Sequence, residues 1–272
     1  MVASPIVIAV PDWAAGARQV ERVAAPSSAD LVRDASRRSE PVVYTGLTPP
    51  EATEAMSFAR LRADFGGVEV RVAPVEGGHV MVDAKRGLVT TARALGPLLD
   101  DLLAGRVDGY VAMPVADLPP ALARRVPVPA PIAALSWSQP RFWVGGAGTL
   151  SALHRDFADN LHTVLAGRKR FWMVTRDGSA DVYPARPWAS VPNGSRVDPA
   201  SPDFERFPRL ARVRPFVADV APGETLVLPH GVWHHVCSLE PTVSTNAFYA
   251  RGARNLVVRA TDLVKRVRGL NR

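Results

Sequence analysis

The stretch from Arg141 to Ala250 most constrains the fold, because it consists of short apolar segments separated by Gly, Asp and Pro. Eight strand candidates lie in it: residues 141–145, 150–156, 160–166, 169–175, 212–218, 224–228, 233–239 and 242–250. Many short strands joined by turns are typical of a barrel or jelly roll. The sequence therefore predicts a mainly β core, with Gly167 in a tight hairpin between two of these strands.

The rest of the chain has a different texture. Residues 1–135 form an α+β lead-in that we expect to pack on the barrel, and residues 136–250 form the barrel itself. Residues 251–272 are a basic tail, and together the three regions make one structural domain. Within them we predict helices at 14–40, 90–104 and 261–268 and strands at 41–46, 68–72 and 109–113. We expect residues 1–13 to be a strand or an edge-packing segment, and residues 114–131 to be irregular or to form short helical turns.

Composition excludes several classes of protein. The single cysteine, Cys237, rules out an internal disulfide and a cysteine-based zinc site. The apolar segment at the N-terminus has no positive region before it and is too short to span a bilayer, so we expect a cytoplasmic protein without a membrane partner. The net charge of +7 is spread along the chain, which favours a solvated basic surface over nucleic-acid binding.

Two clusters of histidines suggest a metal site. His154 and Asp156 are separated by one residue, so on a strand they point to the same face. A third ligand can come from the segment Pro229–Val236, where His234 and His235 point to opposite faces and spacing does not choose between them. Two histidines and one carboxylate on one side of a metal form the facial triad of non-haem Fe(II) oxygenases.

Other residues have both a functional and a structural interpretation. Lys169 is one of three lysines in the chain and follows the metal motif closely, so it is a candidate partner for a carboxylate inside the barrel. His162 shares a strand face with Asn160, although a core or surface role is the simpler interpretation. We further expect the Pro- and Asp-rich stretch 176–210 to be a substrate-facing flap. Three tryptophans could line a substrate groove: Trp137, Trp143 and Trp188.

The combined pattern resembles the cupin-like Jumonji-C family of Fe(II)/2-oxoglutarate oxygenases, in the subgroup of the asparaginyl hydroxylase that inhibits HIF. The resemblance covers roughly residues 40–250. It rests on these residues: His154-x-Asp156, Asn160, Gly167, Lys169, Pro222-Gly223, Pro229 and Trp233-His234-x-Val236. It implies a double-stranded β-helix, or cupin jelly roll, with a short C-terminal helix. It also implies that His154, Asp156 and His234 are the iron ligands and catalytic residues.

The resemblance further implies a co-substrate site. Lys169 would bind the distal carboxylate of 2-oxoglutarate, helped by Tyr110 and Ser151, with Asn160 and Asn246 lining the cavity. The expected activity is hydroxylation of a peptide or protein side chain or of a small metabolite, using Fe(II), 2-oxoglutarate and O2. Two alternatives remain open: a cupin metalloenzyme that does not use 2-oxoglutarate, and a non-catalytic cupin binding protein. The sequence does not choose between a monomer and a homodimer.

Overall fold

The chain, known here from a computed structural model, is described over residues 12–81, 89–135, 137–186, 189 and 191–267. In chain order the strands are β1 (Arg18–Gln19), β2 (Arg22–Ala24), β3 (Val42–Thr45), β4 (Glu69–Glu76), β5 (His79–Val80), β6 (Thr91–Ala94), β7 (Gly109–Pro114), β8 (Ser138–Gly145), β9 (Leu150–Arg155), β10 (Asp159–Ala166), β11 (Lys169–Val174), β12 (Phe216–Val220), β13 (Thr225–Leu228), β14 (Trp233–Ser238) and β15 (Thr242–Tyr249). The helices are α1 (Leu31–Arg37), α2 (Pro50–Ala55), α3 (Phe58–Phe65), α4 (Leu95–Leu103), α5 (Pro120–Arg125), α6 (Ala130–Ala133) and α7 (Ala253–Val267).

The strands pair into one folded-over sheet whose two halves face each other. The first half-sheet has the order β12-β11-β14-β9, and the second half-sheet has the order β7-β8-β15-β10-β13. All pairs within each half are antiparallel. The predicted mainly β jelly-roll core is confirmed. Strands β3, β4 and β7 from the N-terminal region belong to the same sheet, because β7 pairs directly with β8 and β3 pairs with β13.

An apolar cluster fills part of the space between the half-sheets. Phe171, Met173 and Val236 of the first half-sheet pack there with Val164 and Leu226 of the second. Successive residues of a strand point to opposite faces, so the neighbours of these residues point outward. Residues two or four positions away on the same strands also point inward. Several of them are polar, and they form the site described below.

Both outer faces of the sheet are covered. Leucines of α4 pack on β4, β7 and β8. Trp172 and Trp233 of the first half-sheet are covered by Val182, Val197, Phe207, Leu210 and Val213. At the C-terminal end, Arg254 at the start of α7 donates to both oxygens of buried Asp159 at 3.1 Å, which ties α7 to β10. Within the described ranges, no helix has the length and apolar character needed to span a membrane.

Several sequence-based boundaries are wrong. Of residues 14–40, only Leu31–Arg37 is helical, because the segment before it is extended and pairs with β12 and β3 at two separate sheet edges. The helix predicted from residue 90 begins at Leu95, since Thr91–Ala94 adds a strand to β4. The strand predicted at 212–218 lies at Phe216–Val220, and the C-terminal helix starts eight residues early, at Ala253. The strand or edge-packing segment predicted at 1–13 falls almost entirely outside the described residues.

The predicted hairpin at Gly167 is also wrong. Strands β10 and β11 do not pair with each other: β10 pairs with β13 and β15, and β11 pairs with β12 and β14. Gly167 instead carries the chain from one half-sheet to the other, with a backbone φ of 71°. A Cβ at this position would lie 1.9 Å from the carbonyl oxygen of Pro241.

We therefore expect Gly167→Ala to destabilise the fold by more than about 2 kcal/mol, because backbone strain and a backbone clash combine there. Gly77→Ala is the matched control, since Gly77 also has a positive φ of 56° but has no atom within 4 Å of an added Cβ. The control should lose only about 1 kcal/mol. Urea unfolding of both variants measures the difference, and equal losses would contradict the steric argument.

Candidate metal centre

His154, Asp156 and His234 bring three metal-ligating atoms together at the open end of the barrel. One donor atom from each lies within 4.8 Å of the other two. His154 in β9 pairs directly with His234 in β14, and the two ring centroids are 4.2 Å apart. Asp156 follows the end of β9, and its Oδ2 lies 3.5 Å from His234 Nε2. The arrangement leaves one side of the cluster open to a ligand.

Hydrogen bonds of the two histidines orient their lone pairs toward this cluster. Nδ1 of His154 lies 2.7 Å from the carbonyl oxygen of Ala152, and Nδ1 of His234 lies 3.1 Å from that of Val232. A carbonyl only accepts, so Nδ1 carries the proton in each ring and Nε2 offers a lone pair. Burial lowers the pKa of His234 to about 4, which keeps this imidazole neutral and able to bind a metal at neutral pH.

His235 lies on the opposite face of β14. Its ring stacks on Trp172 with the centroids 5.4 Å apart, and its Nδ1 donates to the carbonyl oxygen of Ser151 at 2.7 Å. Of the two histidines that spacing alone could not separate, the structure brings His234 to His154 and Asp156. Ser151 pairs with Val236 across an irregularity in the β9–β14 register, which turns it to the inward side of the strand.

Lys169 lies deep in the barrel, on the same half-sheet as His234. The residue is 3% exposed, and its ammonium donates to the hydroxyl of Tyr110 at 3.4 Å. Gly145, opposite Tyr110 in the sheet, leaves room for the ring, because a Cβ there would lie 2.6 Å from it. In the part of the chain that the structure describes, no carboxylate lies within ion-pair distance of Lys169. Burial lowers its pKa to about 8.

A chain of hydrogen bonds connects the metal-ligand cluster to the second half-sheet. Asn160 donates to Asp156 Oδ2 at 3.4 Å and accepts from the amide of Asn246 at 2.9 Å. Asn246 in turn accepts from the indole N–H of Trp143 at 2.7 Å. The chain fixes both asparagine amides and orients the Asp156 carboxylate. Trp143 therefore belongs to the cavity wall rather than to the outer packing.

Residues 193–195 of the segment that we predicted to be a flap run along β9 beside the cluster. Gly194 forms a β-bridge with His154, and the backbone N–H of Arg155 donates to the carbonyl oxygen of Asn193 at 3.0 Å. Phe157 and Val191 are exposed at this edge. Trp137 packs near α7, and Trp188 lies outside the described residues. A flap function for residues 176–210 stays a prediction.

A family model described as the cupin-like domain matches residues 28–255. The chain belongs to this family. The matched range includes strands β3 to β15 and all three residues of the metal-ligand cluster. The resemblance to the cupin-like Jumonji-C oxygenases is thereby confirmed.

Individual relatives agree with this assignment. The chain is 28% identical over 244 residues to the human bifunctional peptidase and (3S)-lysyl hydroxylase JMJD7, with 76% of each protein covered. It is 25% identical over 246 residues to a zebrafish (Danio rerio) lysine-specific demethylase 8, covering 86% of this chain and 59% of that protein. A rat (Rattus norvegicus) HSPB1-associated protein 1 is 33% identical over 109 residues, which is 39% of this chain and 23% of the rat protein.

Two further polar residues line the cavity. The sequence analysis considered a cavity position for His162 and preferred a core or surface role, and it assigned no role to Arg141. His162 points inward from β10, and its Nε2 is buried without a hydrogen-bond partner among the described residues. Arg141 shares a strand face with Trp143 and lies 5.4 Å over its ring. The alternation of β10, with Asn160 and His162 on one face, was the signal available for His162. Arg141 had no such signal, because its position follows from the pairing of β8 with β15.

Proposed function

We propose that the protein is an Fe(II)- and 2-oxoglutarate-dependent oxygenase that hydroxylates a side chain of a peptide or protein, or a small metabolite. The observation that carries the proposal is Lys169, a buried cation on β11, which pairs with the strand β14 that carries His234 of the three-residue metal-ligand cluster. An ammonium buried without a counter-ion is costly, and the distal carboxylate of 2-oxoglutarate would remove that cost.

The donor set fits iron. Two neutral imidazoles and one carboxylate on a single side are the ligands of non-haem Fe(II) oxygenases, and His154, Asp156 and His234 provide them. When bound, Fe(II) with 2-oxoglutarate and O2 supplies the oxidative chemistry, which yields succinate, CO2 and a hydroxylated C–H bond. Arg141 and Lys169 add two positive charges to the cavity, which suits a co-substrate with two carboxylates.

The protein's own residues have distinct roles in this proposal. Lys169 and Tyr110 hold the distal carboxylate, and Ser151 contributes a hydroxyl on the strand that carries His154. The Asn160–Asn246 pair keeps the Asp156 carboxylate oriented. Buried apolar side chains between the half-sheets exclude water from the interior of the barrel. The exposed edge near Phe157 is the open route for a substrate.

The relatives favour a peptide or protein substrate. The human relative is named a lysyl hydroxylase and peptidase, and the zebrafish relative is named a lysine-specific demethylase. Both names refer to an amino-acid side chain, so we propose a side chain of a peptide or protein before a small metabolite. Succinate formation stimulated by a peptide library, followed by mass spectrometry of the products, identifies the modified residue.

Anaerobic titration tests the proposed activity. Fe(II) is added to the apo-protein, 2-oxoglutarate follows, and the visible charge-transfer band of the chelate is recorded. The proposal predicts that the band appears in the wild type and is weakened in Lys169→Ala. Iron binding without a band would favour a cupin metalloenzyme that does not use 2-oxoglutarate. Absence of iron binding would favour a non-catalytic binding protein.

The pH dependence of co-substrate binding follows from Lys169. Because burial lowers its pKa to about 8, the ammonium is charged at pH 7 and mostly neutral at pH 9. Binding of the dianion needs the charged form, so we expect the Kd of 2-oxoglutarate to rise about 10-fold between pH 7 and pH 9. Calorimetry measures this Kd, with the metal affinity at each pH as control. A pH-independent Kd would argue against Lys169 as the carboxylate partner.

A further inference from the structure

His162 lies in the co-substrate cavity. It occupies the inward face of β10 two residues after Asn160, opposite Asn246 of β15. Only 8% of the residue is accessible, and the ring meets the edge of Phe171 with the centroids 5.1 Å apart. Its position is therefore defined by packing on one side and by the cavity on the other.

The hydrogen bonding of His162 differs from that of the other histidines in the barrel. His154, His234 and His235 each donate from Nδ1 to a backbone carbonyl. His162 Nε2, in contrast, is buried without a partner in the described part of the chain. Buried polar atoms are nearly always hydrogen-bonded in native proteins, so we expect a bound ligand to provide the partner of this nitrogen.

The electrostatic neighbours of His162 are Lys169 and His234. Its ring interacts with both Lys169 and His234, and the interaction with Lys169 is the larger of the two. Burial and these neighbours lower its pKa well below the usual value, so the ring is neutral and carries one N–H. A neutral donor beside Lys169 adds a hydrogen bond without adding charge repulsion.

We propose that His162 binds 2-oxoglutarate, donating from Nε2 to the same distal carboxylate that Lys169 holds. The inference rests on the proposed function and extends it. A carboxylate has about four acceptor positions, so it can accept from Lys169, Tyr110 and His162 together. A pocket with three donors would select a keto acid with a second carboxylate over one without it.

Two substitutions test this role, because one removes the N–H donor and keeps an aromatic ring while the other keeps a donor and removes the ring. His162→Phe keeps an aromatic ring and removes the donor, whereas His162→Gln keeps an N–H donor in a smaller side chain. We expect the Kd of 2-oxoglutarate to rise about 10-fold in His162→Phe and to stay within about 3-fold of wild type in His162→Gln. Metal affinity should be unchanged in both variants. If His162→Phe does not fold, His162→Met serves as the apolar variant.

Pyruvate provides the positional control, because it has the chelating keto acid but no distal carboxylate. We expect wild type and His162→Phe to bind pyruvate equally. An equal loss for pyruvate and 2-oxoglutarate would overturn the assignment to the distal carboxylate. An unchanged Kd for 2-oxoglutarate in His162→Phe, with binding lost in Lys169→Met, would overturn the role of His162 and leave the proposed function standing. Failure of the wild type to bind 2-oxoglutarate would overturn both.

Discussion

Asp156→Ala is expected to abolish metal-dependent turnover while leaving the fold intact. Asp156 supplies the only carboxylate of the three-residue cluster, and residues outside a metal's first ligand shell already contribute about 10- to 100-fold in affinity. Loss of a direct ligand should therefore weaken Fe(II) binding by more than about 100-fold. The fold should survive, because the Asp156 side chain is 18% exposed and accepts one long hydrogen bond from Asn160.

Anaerobic Fe(II) titration and succinate formation measure the effect, and thermal unfolding verifies the fold. Asp177→Ala is the matched control, since it removes an exposed carboxylate outside the cluster. His234→Ala should lose metal in the same way. His235→Ala should keep its metal, because that ring faces Trp172 on the other side of β14. Full turnover in Asp156→Ala, or equal metal loss in the two histidine variants, would exclude this ligand set.

Lys169→Met is expected to make the apo-protein more stable and to remove co-substrate binding. The pKa of Lys169 is about 8 in the folded chain, against 10.5 for an unperturbed lysine, which represents the unfolded chain. The unfolded chain therefore binds more protons between these values, and the free energy of unfolding rises with pH across this window. Below pH 8 the full penalty for the buried charge is present. Removing the charge should add about 3 kcal/mol at pH 7.

Urea unfolding of apo wild type and Lys169→Met at pH 7 measures the gain. The difference should shrink as the pH approaches 10.5, where the folded wild type no longer carries the buried charge. The Kd of 2-oxoglutarate should rise more than about 100-fold in the variant, because a charge-assisted contact is lost. Lower stability of Lys169→Met at pH 7 would contradict the penalty for the buried charge, and an unchanged Kd would contradict a role in carboxylate binding.

The candidate site residues follow from the sequence where local periodicity defines them. Alternation along β9 puts His154 and Asp156 on one side, and alternation along β10 does the same for Asn160 and His162. The scarcity of lysine and its place in the chain singled out Lys169, and the Jumonji-C resemblance added Tyr110. The structure brings these two side chains within 3.4 Å of each other. Side-chain period is a local property of the backbone, so a single sequence carries it.

Features that depend on pairing between distant strands could not be predicted from local sequence patterns. The choice between His234 and His235 follows from β14 pairing with β9, and the role of Gly167 follows from β10 and β11 joining opposite half-sheets. Likewise Thr91–Ala94 is a strand because β4 offers it an open edge. Hydrogen bonds between segments many residues apart depend on the whole topology, and local propensity is weak enough to be overridden by them.

The sequence by itself determined the β-rich core, the metal-ligand motif and the candidate carboxylate partner, because each depends on residue type and on short-range spacing. Only the tertiary structure decided which residues share the cavity. It linked Asp156 to Trp143 through two asparagines. Within the described ranges it also buried Lys169 away from any carboxylate and left His162 Nε2 without a hydrogen-bond partner. Such relations depend on the closure of two half-sheets over one interior, which brings together side chains from strands far apart in the chain.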